Sequence, residues 1–274
     1  MSRTLSVLKL GGSVLRDDAS YAAAARFLHD RLAGTRDERL VVIVSAQHGS
    51  TDTLLAEAQA IVTGAQRGGE TAGALPSEVS EEALDLLWST GELRSVALLA
   101  LHLQRLGTPA VPLNVHQTGL IAERASGTTV RPLRLLAALG VARIVIVPGF
   151  LGVSAGGTIT SLGRGGSDLT AVLLAAAVRA DACELIKDVP GYFTADPHRD
   201  THARQIHELS IGQALAMADA GCDLVQRAAL VAAAAAGLHI VIRSMDAAAP
   251  VTNLRSQHHG IRHQDDSRRA AVGA

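Results

Sequence analysis

The chain has 274 residues, of which 48% are hydrophobic and 19% charged, and its formal net charge is −1 at pH 7. This apolar content is enough for an enzyme-sized globular core, in one domain or two. A nearly neutral chain without a basic block excludes electrostatic attraction to nucleic acid or to a membrane surface, and indicates small-molecule partners.

Cysteine usage and the chain start indicate a cellular compartment. Cys183 and Cys222 form no CxxC pair, which predicts neither a disulfide framework nor a zinc site and fits a reducing cytosol. Residues 1–9 lack the leader of a signal peptide, and the apolar runs are shorter than the about 20 residues of a membrane span. We therefore expect a soluble cytoplasmic protein without a resident metal site.

Short β-branched runs alternate with longer Ala- and Leu-rich segments of helical period, which predicts an α/β fold on a mainly parallel sheet. The expected strands are residues 5–10, 40–45, 110–113, 144–148, 183–187 and 240–243. The expected helices are residues 21–33, 52–63, 81–106, 133–139, 168–179, 211–220 and 227–236. A hairpin is expected over residues 151–161, a surface loop over 64–80 and a disordered tail over 255–274.

The first strand ends in Lys9-Leu10-Gly11-Gly12-Ser13. Glycine lets backbone N–H groups approach phosphate oxygens, and a nearby ammonium neutralises charge on a transferred phosphoryl group. The alternative is a tight turn beside a solvated lysine.

Two polar segments follow. Ser45 to Asp52 leaves the second strand at the sheet edge where ligands bind, although its last residues are also suited to capping a helix. Further on, Glu92 follows Ser-Thr-Gly and could accept hydrogen bonds from a substrate ammonium. A solvated helix face is the alternative for Glu92.

The glycine-rich stretch 161–171 contains Arg164 and Asp168. A guanidinium binds a carboxylate through two hydrogen bonds, and a neighbouring aspartate can orient a catalytic lysine. Glu92 for the amine and Arg164 for the carboxylate would together select an amino acid. Asp168 could instead be only a helix cap.

The last segment, residues 187–197, begins at a strand end and contains an aromatic pair. Tyr192 or Phe193 could lie against an adenine ring, and Asp188 could accept a hydrogen bond from a nucleotide. Packing is the alternative for the two rings.

In their order along the chain, these segments resemble the amino acid kinase superfamily and, within it, the catalytic domain of aspartate kinases, over most of residues 5–244. The resemblance is carried by Lys-Leu-Gly-Gly at 9–12, Val-Ser-Ala at 44–46 with Thr51-Asp52, Ser-Thr-Gly-Glu at 89–92, Gly-Phe-Leu-Gly at 149–152, Leu-Gly-Arg-Gly-Gly-Ser-Asp at 162–168 and Thr-Ala-Asp-Pro at 194–197. Residues 8–15 are also similar to the isopentenyl phosphate and uridylate kinase branches, which phosphorylate phosphate groups.

The resemblance implies a three-layer αβα sandwich forming one catalytic domain over residues 1–254. An N-terminal lobe, about residues 1–150, would bind the amino acid, and a C-terminal lobe, about 151–254, the nucleotide. The implied reaction uses ATP and Mg²⁺ to phosphorylate a side-chain carboxylate, that of L-aspartate or an aspartate analogue, in amino-acid biosynthesis. A homodimer is the expected assembly.

The resemblance also implies roles for individual residues. Lys9 would stabilise the transferred phosphoryl group and Asp168 would organise the site. The amino acid would be surrounded by Ser45, Thr51, Glu92, Phe150, Arg164 and Ser167. The nucleotide would be bound by Gly11, Gly12, Ser13, Lys187, Asp188, Tyr192, Phe193 and Asp196.

The chain departs from the aspartate kinase pattern on the nucleotide side. Asp223 stands where these enzymes carry a lysine that contacts ATP phosphate, and His198 replaces an arginine. Lys187 replaces a threonine or serine, so it or Arg227 could supply the missing charge. The chain also ends soon after the catalytic region, so no feedback control through regulatory domains is expected. The alternative function is a catalytically impaired homologue that binds ligand and regulates a partner.

Overall fold

The computed structural model describes residues 4–64, 78–123, 127–163, 165–197 and 199–256. The strands are β1 (Leu5–Leu10), β2 (Arg39–Val44), β3 (Ala110–Pro112), β4 (Leu120–Glu123), β5 (Gly127–Val130), β6 (Ile144–Pro148), β7 (Leu151–Val153), β8 (Ile159–Ser161), β9 (Ala182–Ile186), β10 (Tyr192–Phe193), β11 (Gln205–Ile206), β12 (Glu208–Ser210), β13 (Ile240–Arg243) and β14 (Thr252–Arg255). The helices are α1 (Asp18–Gly34), α2 (Ser50–Thr63), α3 (Glu81–Arg105), α4 (Leu133–Val141), α5 (Gly166–Val178), α6 (Ile211–Asp219) and α7 (Arg227–Ala236), with a 3-10 turn at Val115–Gln117.

The main sheet has the strand order β12-β14-β13-β9-β1-β2-β6-β3, and only the β13–β14 pair is antiparallel. The predicted α/β class with a mainly parallel sheet is therefore confirmed, as are all six expected strands and seven expected helices, each within three residues of its expected ends. The central strands β1, β2, β6 and β9 were recognisable because both of their faces are buried, so that they appear as continuous apolar runs.

Helices cover the central strands of the sheet on both faces, which gives the three layers. On one face, side chains of α1 and α3 such as Leu28 and Leu99 pack with Leu8 and Val42. On the other face, α4, α5, α6 and α7 pack over strand residues such as Val7. Within the described ranges, no helix is long and apolar enough to cross a membrane.

Helix α1 begins three residues earlier than its apolar period predicts. The reason is a capping box: the Asp17 side chain accepts from the Ser20 backbone N–H, and the Ser20 hydroxyl lies 2.9 Å from the Asp17 backbone nitrogen. Capping satisfies donors that the first turn leaves without partners. A polar cap thus extends the helix beyond its apolar stripe.

The strands that the sequence did not predict are short. The expected hairpin over residues 151–161 is confirmed as β7 and β8, which join β4 and β5 in a separate four-stranded sheet. Strand β14 ends at Arg255, so the residue expected to begin the tail lies in the main sheet, paired beside Ser210 of β12. The rest of the expected tail from residue 257, and residues 65–77 of the expected loop, lie outside the described residues.

A buried ion network joins α1 to the sheet. Arg31 Nη2 lies 2.6 Å from Glu38 Oε1 and 2.7 Å from Glu184 Oε1, and the Ser6 hydroxyl donates to Glu38. Only 7% of Glu38 and 6% of Glu184 is exposed. Two buried carboxylates therefore depend on one guanidinium, with Arg243 of β13 lying 3.5 Å from Glu184.

Replacing Arg31 by Met should lower the free energy of unfolding by about 3 kcal/mol, because it leaves two buried carboxylates without their principal cation. Arg255→Met is the matched control: its pair with Glu208 is more than half exposed, and such pairs contribute about 1 kcal/mol or less. Urea denaturation followed by circular dichroism measures both effects. Equal losses in the two variants would contradict the assignment of stability to the buried network.

Candidate active site

A cleft of about 540 Å³ opens at the carboxyl ends of β1, β2 and β6. In parallel sheets, ligands bind at this edge because the loops that follow the strands meet there. The cleft is lined by Lys9, Gly12, Ser45, Ala46, Gln47, His48, Gly49, Thr51, Asp52, Leu55, Trp88, Glu92, Phe150, Ser161, Gly163, Gly165, Gly166 and Ser167. It thus gathers residues from five predicted segments that are far apart in sequence.

Beside the cleft, one carboxylate holds two ammonium groups. Lys9 Nζ lies 2.9 Å from Asp168 Oδ1, and Lys187 Nζ lies 2.9 Å from Asp168 Oδ2. Lys9 is at the end of β1 and Lys187 directly follows β9, which pairs with β1. All three side chains are almost fully buried, and Asp168 is 3% exposed.

Burial alone would raise the pKa of Asp168, but the charges of Lys9 and Lys187 and their hydrogen bonds lower it to about 2. Asp168 is therefore ionised at neutral pH. It lies in the first turn of α5 and is 3.4 Å from the backbone nitrogen of Gln226, the N-cap of α7. The N-cap of α5 is Gly165, so Asp168 is not simply the cap of its helix.

The glycine turn after β1 leaves little room for side chains. A Cβ on Gly11 would lie 3.0 Å from Lys9 Nζ, and one on Gly12 would lie 3.1 Å from the Ala46 carbonyl oxygen. The next residue, Ser13, accepts a hydrogen bond at its backbone oxygen from Arg16 Nε. The Gly11 backbone thus lies beside the Lys9 ammonium without a side chain between them, as an anion cradle requires.

Glu92 projects from α3 into the cleft and is 3% exposed. Burial raises its pKa to about 8, although a hydrogen bond to the Ala46 backbone and the charge of Lys9 oppose this shift. Its Oε2 atom has no hydrogen-bond partner among the described residues. The buried oxygen lacks a donor, and Glu92 does not lie on a solvated helix face.

An apolar wall borders the cleft at Phe150 and Trp88, whose rings make an edge-to-face contact with centroids 5.5 Å apart. Phe150 adopts a positive φ of 68°, and its backbone N–H donates to the Thr170 hydroxyl. The preceding Gly149 is required for packing, because a Cβ there would come within 2.6 Å of the Ser167 hydroxyl oxygen. Thr170 and Gly149 therefore fix the direction of Phe150.

Three of the other predicted amino acid contacts are also in this region. Ser45, Thr51 and Ser167 line the cleft, whereas Arg164 lies outside the described residues. Helix α2 begins at Ser50, and its N-cap, Gly49, has no side-chain cap. The polar residues of this loop thus do not act as the N-cap.

The predicted nucleotide residues are more dispersed. Asp188 is exposed, with Oδ2 3.6 Å from Arg16 Nη2, and Asp196 pairs with Arg199 at the surface. Tyr192 is 1% exposed and packs in the core, so its ring is not available to an adenine in this conformation, whereas Phe193 is partly exposed. Of the predicted nucleotide residues, Gly11 lies against the Lys9 ammonium and Lys187 lies against Asp168.

Among the residues that depart from the aspartate kinase pattern, only some are described. Asp223 is exposed in the loop between α6 and α7, and His198 is outside the described residues. Arg227 is exposed, and its Nε lies 2.7 Å from Asp219 Oδ1 of α6. Lys187, and not Arg227, therefore lies against Asp168.

Sequence reasoning missed several residues of the cleft. Trp88 is one, although it precedes Glu92 by four residues and so shares its helix face, which is a usable signal. Its indole N–H donates to the Thr51 carbonyl and joins α3 to the start of α2. Gln47 is another: its side chain donates to the Arg16 carbonyl and accepts from Arg94.

Comparison with known proteins shows the family to which this chain is similar. The amino acid kinase family pattern matches residues 4–244. Aspartokinase of Thermus thermophilus is 36% identical over 245 residues, which are 88% of this chain and 56% of that protein. Aspartokinase 2 of Bacillus subtilis is 37% identical over 226 residues, 81% of this chain and 51% of that protein. The chain thus spans about half the length of the curated relatives it matches.

Solved structures agree with the fold. Aspartate kinase from Synechocystis superimposes with a TM-score of 0.78 at 34% identity, covering 92% of this chain and 40% of that one. E. coli aspartokinase III in complex with aspartate and ADP gives a TM-score of 0.76 at 25% identity, covering 92% and 64%. The fold, the arrangement of the cleft and the family pattern over residues 4–244 lead to one conclusion: this chain belongs to the amino acid kinase family.

Proposed function

We propose that the protein transfers the γ-phosphoryl group of ATP to the side-chain carboxylate of an amino acid, with L-aspartate as the first candidate and 4-phospho-L-aspartate as the product. The observation that carries this proposal is the buried Lys9–Asp168–Lys187 cluster beside a cleft that contains Glu92. E. coli aspartokinase III, a relative of the same fold, has been solved with aspartate and ADP.

The cleft suits an amino acid. Glu92 offers a buried oxygen without a hydrogen-bond partner to a substrate ammonium. Arg164, which lies in sequence between the cleft-lining Gly163 and Gly165, would bind the α-carboxylate through two hydrogen bonds. Ser45, Thr51 and Ser167 add hydroxyl groups around the side chain. A phosphate or alcohol acceptor would offer Glu92 no ammonium group to bind.

The proposed chemistry needs no general base. The acceptor carboxylate is already ionised, so its oxygen forms a bond to the γ-phosphorus while the bond to the β–γ bridging oxygen breaks. The electron pair leaves with ADP, and no proton is transferred. Catalysis then rests on alignment and on neutralisation of phosphoryl charge, for which Lys9 is positioned by Asp168.

The site is better suited to binding the triphosphate of ATP than to binding a metal ion through protein side chains alone. In the glycine turn, the Gly11 backbone lies beside the Lys9 ammonium without an intervening side chain. Among the described residues, no group of three or more His, Cys, Asp or Glu side chains is arranged to hold a metal. Mg²⁺ would accordingly be bound chiefly by the ATP phosphates, whose charge it neutralises.

Acyl phosphate formation tests the function directly. The protein is incubated with Mg-ATP and a panel of acidic amino acids and analogues, and the product is trapped with hydroxylamine. We expect hydroxamate and equimolar ADP with L-aspartate or a close analogue. If ATP and aspartate bind by calorimetry but no acceptor yields hydroxamate or ADP, the alternative of a ligand-binding regulator is supported and the enzyme proposal fails.

Lys9→Met should lower kcat by about 100-fold to 1,000-fold, because it removes a charge that acts on the transferred phosphoryl group. Asp168 keeps Lys187 as a partner, so the variant should fold. Arg255→Gln, which removes an exposed cation far from Lys9 in the sheet order, is the control. A kcat for Lys9→Met within threefold of wild type would exclude Lys9 from the chemical step.

The raised pKa of Glu92 predicts a pH dependence of substrate binding. The empty site holds Glu92 mostly protonated at pH 7, whereas a bound ammonium favours its carboxylate, so binding releases a proton. The KM for the amino acid should therefore fall by up to about tenfold per pH unit as pH rises towards 8, and then level off. Initial rates at saturating ATP between pH 6 and 8.5 measure this.

Glu92→Gln should raise the KM for the amino acid and remove its pH dependence, with the KM for ATP little changed. Glu57→Gln, on the exposed face of α2, is the matched control. A Glu92→Gln variant with an unchanged pH profile would show that another group accounts for the dependence.

A further inference from the structure

Lysine is rare in this chain, and both lysines are in one place. The 25 basic residues include only two lysines, Lys9 and Lys187, and the others are arginines. Each lysine ammonium lies 2.9 Å from a different oxygen of Asp168. An ammonium is a compact point charge with freely rotating donors, whereas guanidinium is a planar fork. The compact cation thus occurs only at this carboxylate.

The cluster of Lys9, Lys187 and Asp168 carries one excess positive charge. The Lys187 side chain is 11% exposed and that of Lys9 is 9% exposed, so little of this charge is solvated. Glu92 and Asp188 do not fully balance this positive charge: burial raises the pKa of Glu92 to about 8, and Asp188 is exposed near Arg16. A buried excess cation is stabilised by a bound anion.

The position of Lys187 indicates which anion binds beside this cluster. Lys9 lines the amino acid cleft, whereas Lys187 is on the other oxygen of Asp168, at the end of β9, where its backbone N–H donates to Arg243 of β13. The N-termini of α5 and α7 both lie beside Asp168, and they favour negative charge. Lys187 thus pairs with the Asp168 oxygen that also lies 3.4 Å from the backbone nitrogen of the α7 N-cap, and it is not among the residues that line the cleft.

We propose that Lys187 is a second catalytic ammonium, which binds the β- and γ-phosphate oxygens of ATP and neutralises the charge that develops on the departing ADP. The proposal rests on the proposed phosphoryl transfer. As the bond between the γ-phosphorus and the bridging oxygen breaks, its electron pair goes to the β-phosphate. Lys187 donates a hydrogen bond to that oxygen and keeps its proton, while Lys9 faces the transferred group.

Two further observations support this assignment. Burial, together with the charge of Lys9, lowers the pKa of Lys187, as expected for two cations that share one carboxylate. Arg227, the other cation considered for the phosphates, is exposed and is held by Asp219. Arg227 is therefore the matched control.

The first test compares Lys187→Gln with Arg227→Gln. Glutamine keeps an N–H donor for Asp168 but removes the charge, so it separates a role in phosphate binding from a role in holding Asp168. Calorimetry with a magnesium-loaded, non-hydrolysable ATP analogue should show affinity reduced by about tenfold or more in Lys187→Gln and changed less than twofold in Arg227→Gln. In active enzyme, kcat of Lys187→Gln should fall by about 100-fold. Nucleotide affinity and kcat within threefold of wild type would overturn the proposal.

A second test uses the wild-type protein and so does not depend on whether a variant folds. Biosynthetic incorporation of lysine labelled with ¹³C at the ε-carbon gives two side-chain resonances, because the chain has two lysines. The non-hydrolysable ATP analogue should shift both, whereas aspartate alone should shift the Lys9 resonance more than that of Lys187. A nucleotide-saturated protein in which only one resonance moves would contradict the assignment.

Both tests measure nucleotide binding and do not depend on turnover. If wild type forms no acyl phosphate with any acceptor, the proposed reaction fails, while a nucleotide-dependent shift of both lysines still places Lys187 at the phosphates. If acyl phosphate forms but Lys187→Gln matches wild type in affinity and kcat, the proposed reaction stands and the role of Lys187 is refuted.

Discussion

The organisation of the site depends on one buried carboxylate held between two ammonium groups. Asp168 lies in the first turn of α5, Lys9 is the last residue but one of β1 and Lys187 follows β9, so this cluster joins the central strands of the sheet to the helix that packs across them. The opposite charges lower the pKa of Asp168 to about 2 against the effect of burial. Three side chains that would be costly to bury singly are thereby held in fixed positions.

The charges near this cluster divide the site into two halves. Towards β2 and β6, the cleft holds Glu92 with its raised pKa, several hydroxyl groups and an apolar wall, which suits an amino acid. Towards β13, the Lys187 backbone N–H donates to Arg243, and the start of α7 lies beside the Asp168 oxygen that Lys187 contacts, which suits phosphate. Because Asp168 contacts a cation on each side, it is the element common to both halves.

Much of the fold followed from local patterns. The strands buried on both faces and the helices with long apolar periods were all predicted, because burial produces continuous runs that a single sequence displays. The short strands β4, β5, β10, β11, β12 and β14 were not, since two to four residues of mixed polarity carry no period. The early start of α1 depends on a polar cap that its apolar pattern does not include.

The sequence by itself determined the α/β class, the ordered segments of the amino acid kinase family, and the selection of Lys9, Glu92 and Asp168 as candidate site residues. Only the tertiary structure decided that Lys187 shares Asp168 with Lys9, that Tyr192 lies in the core and that Trp88 borders the cleft. The physical reason is that residue type and spacing specify what a side chain can do, whereas its partners and its burial depend on which distant strands become neighbours in the sheet.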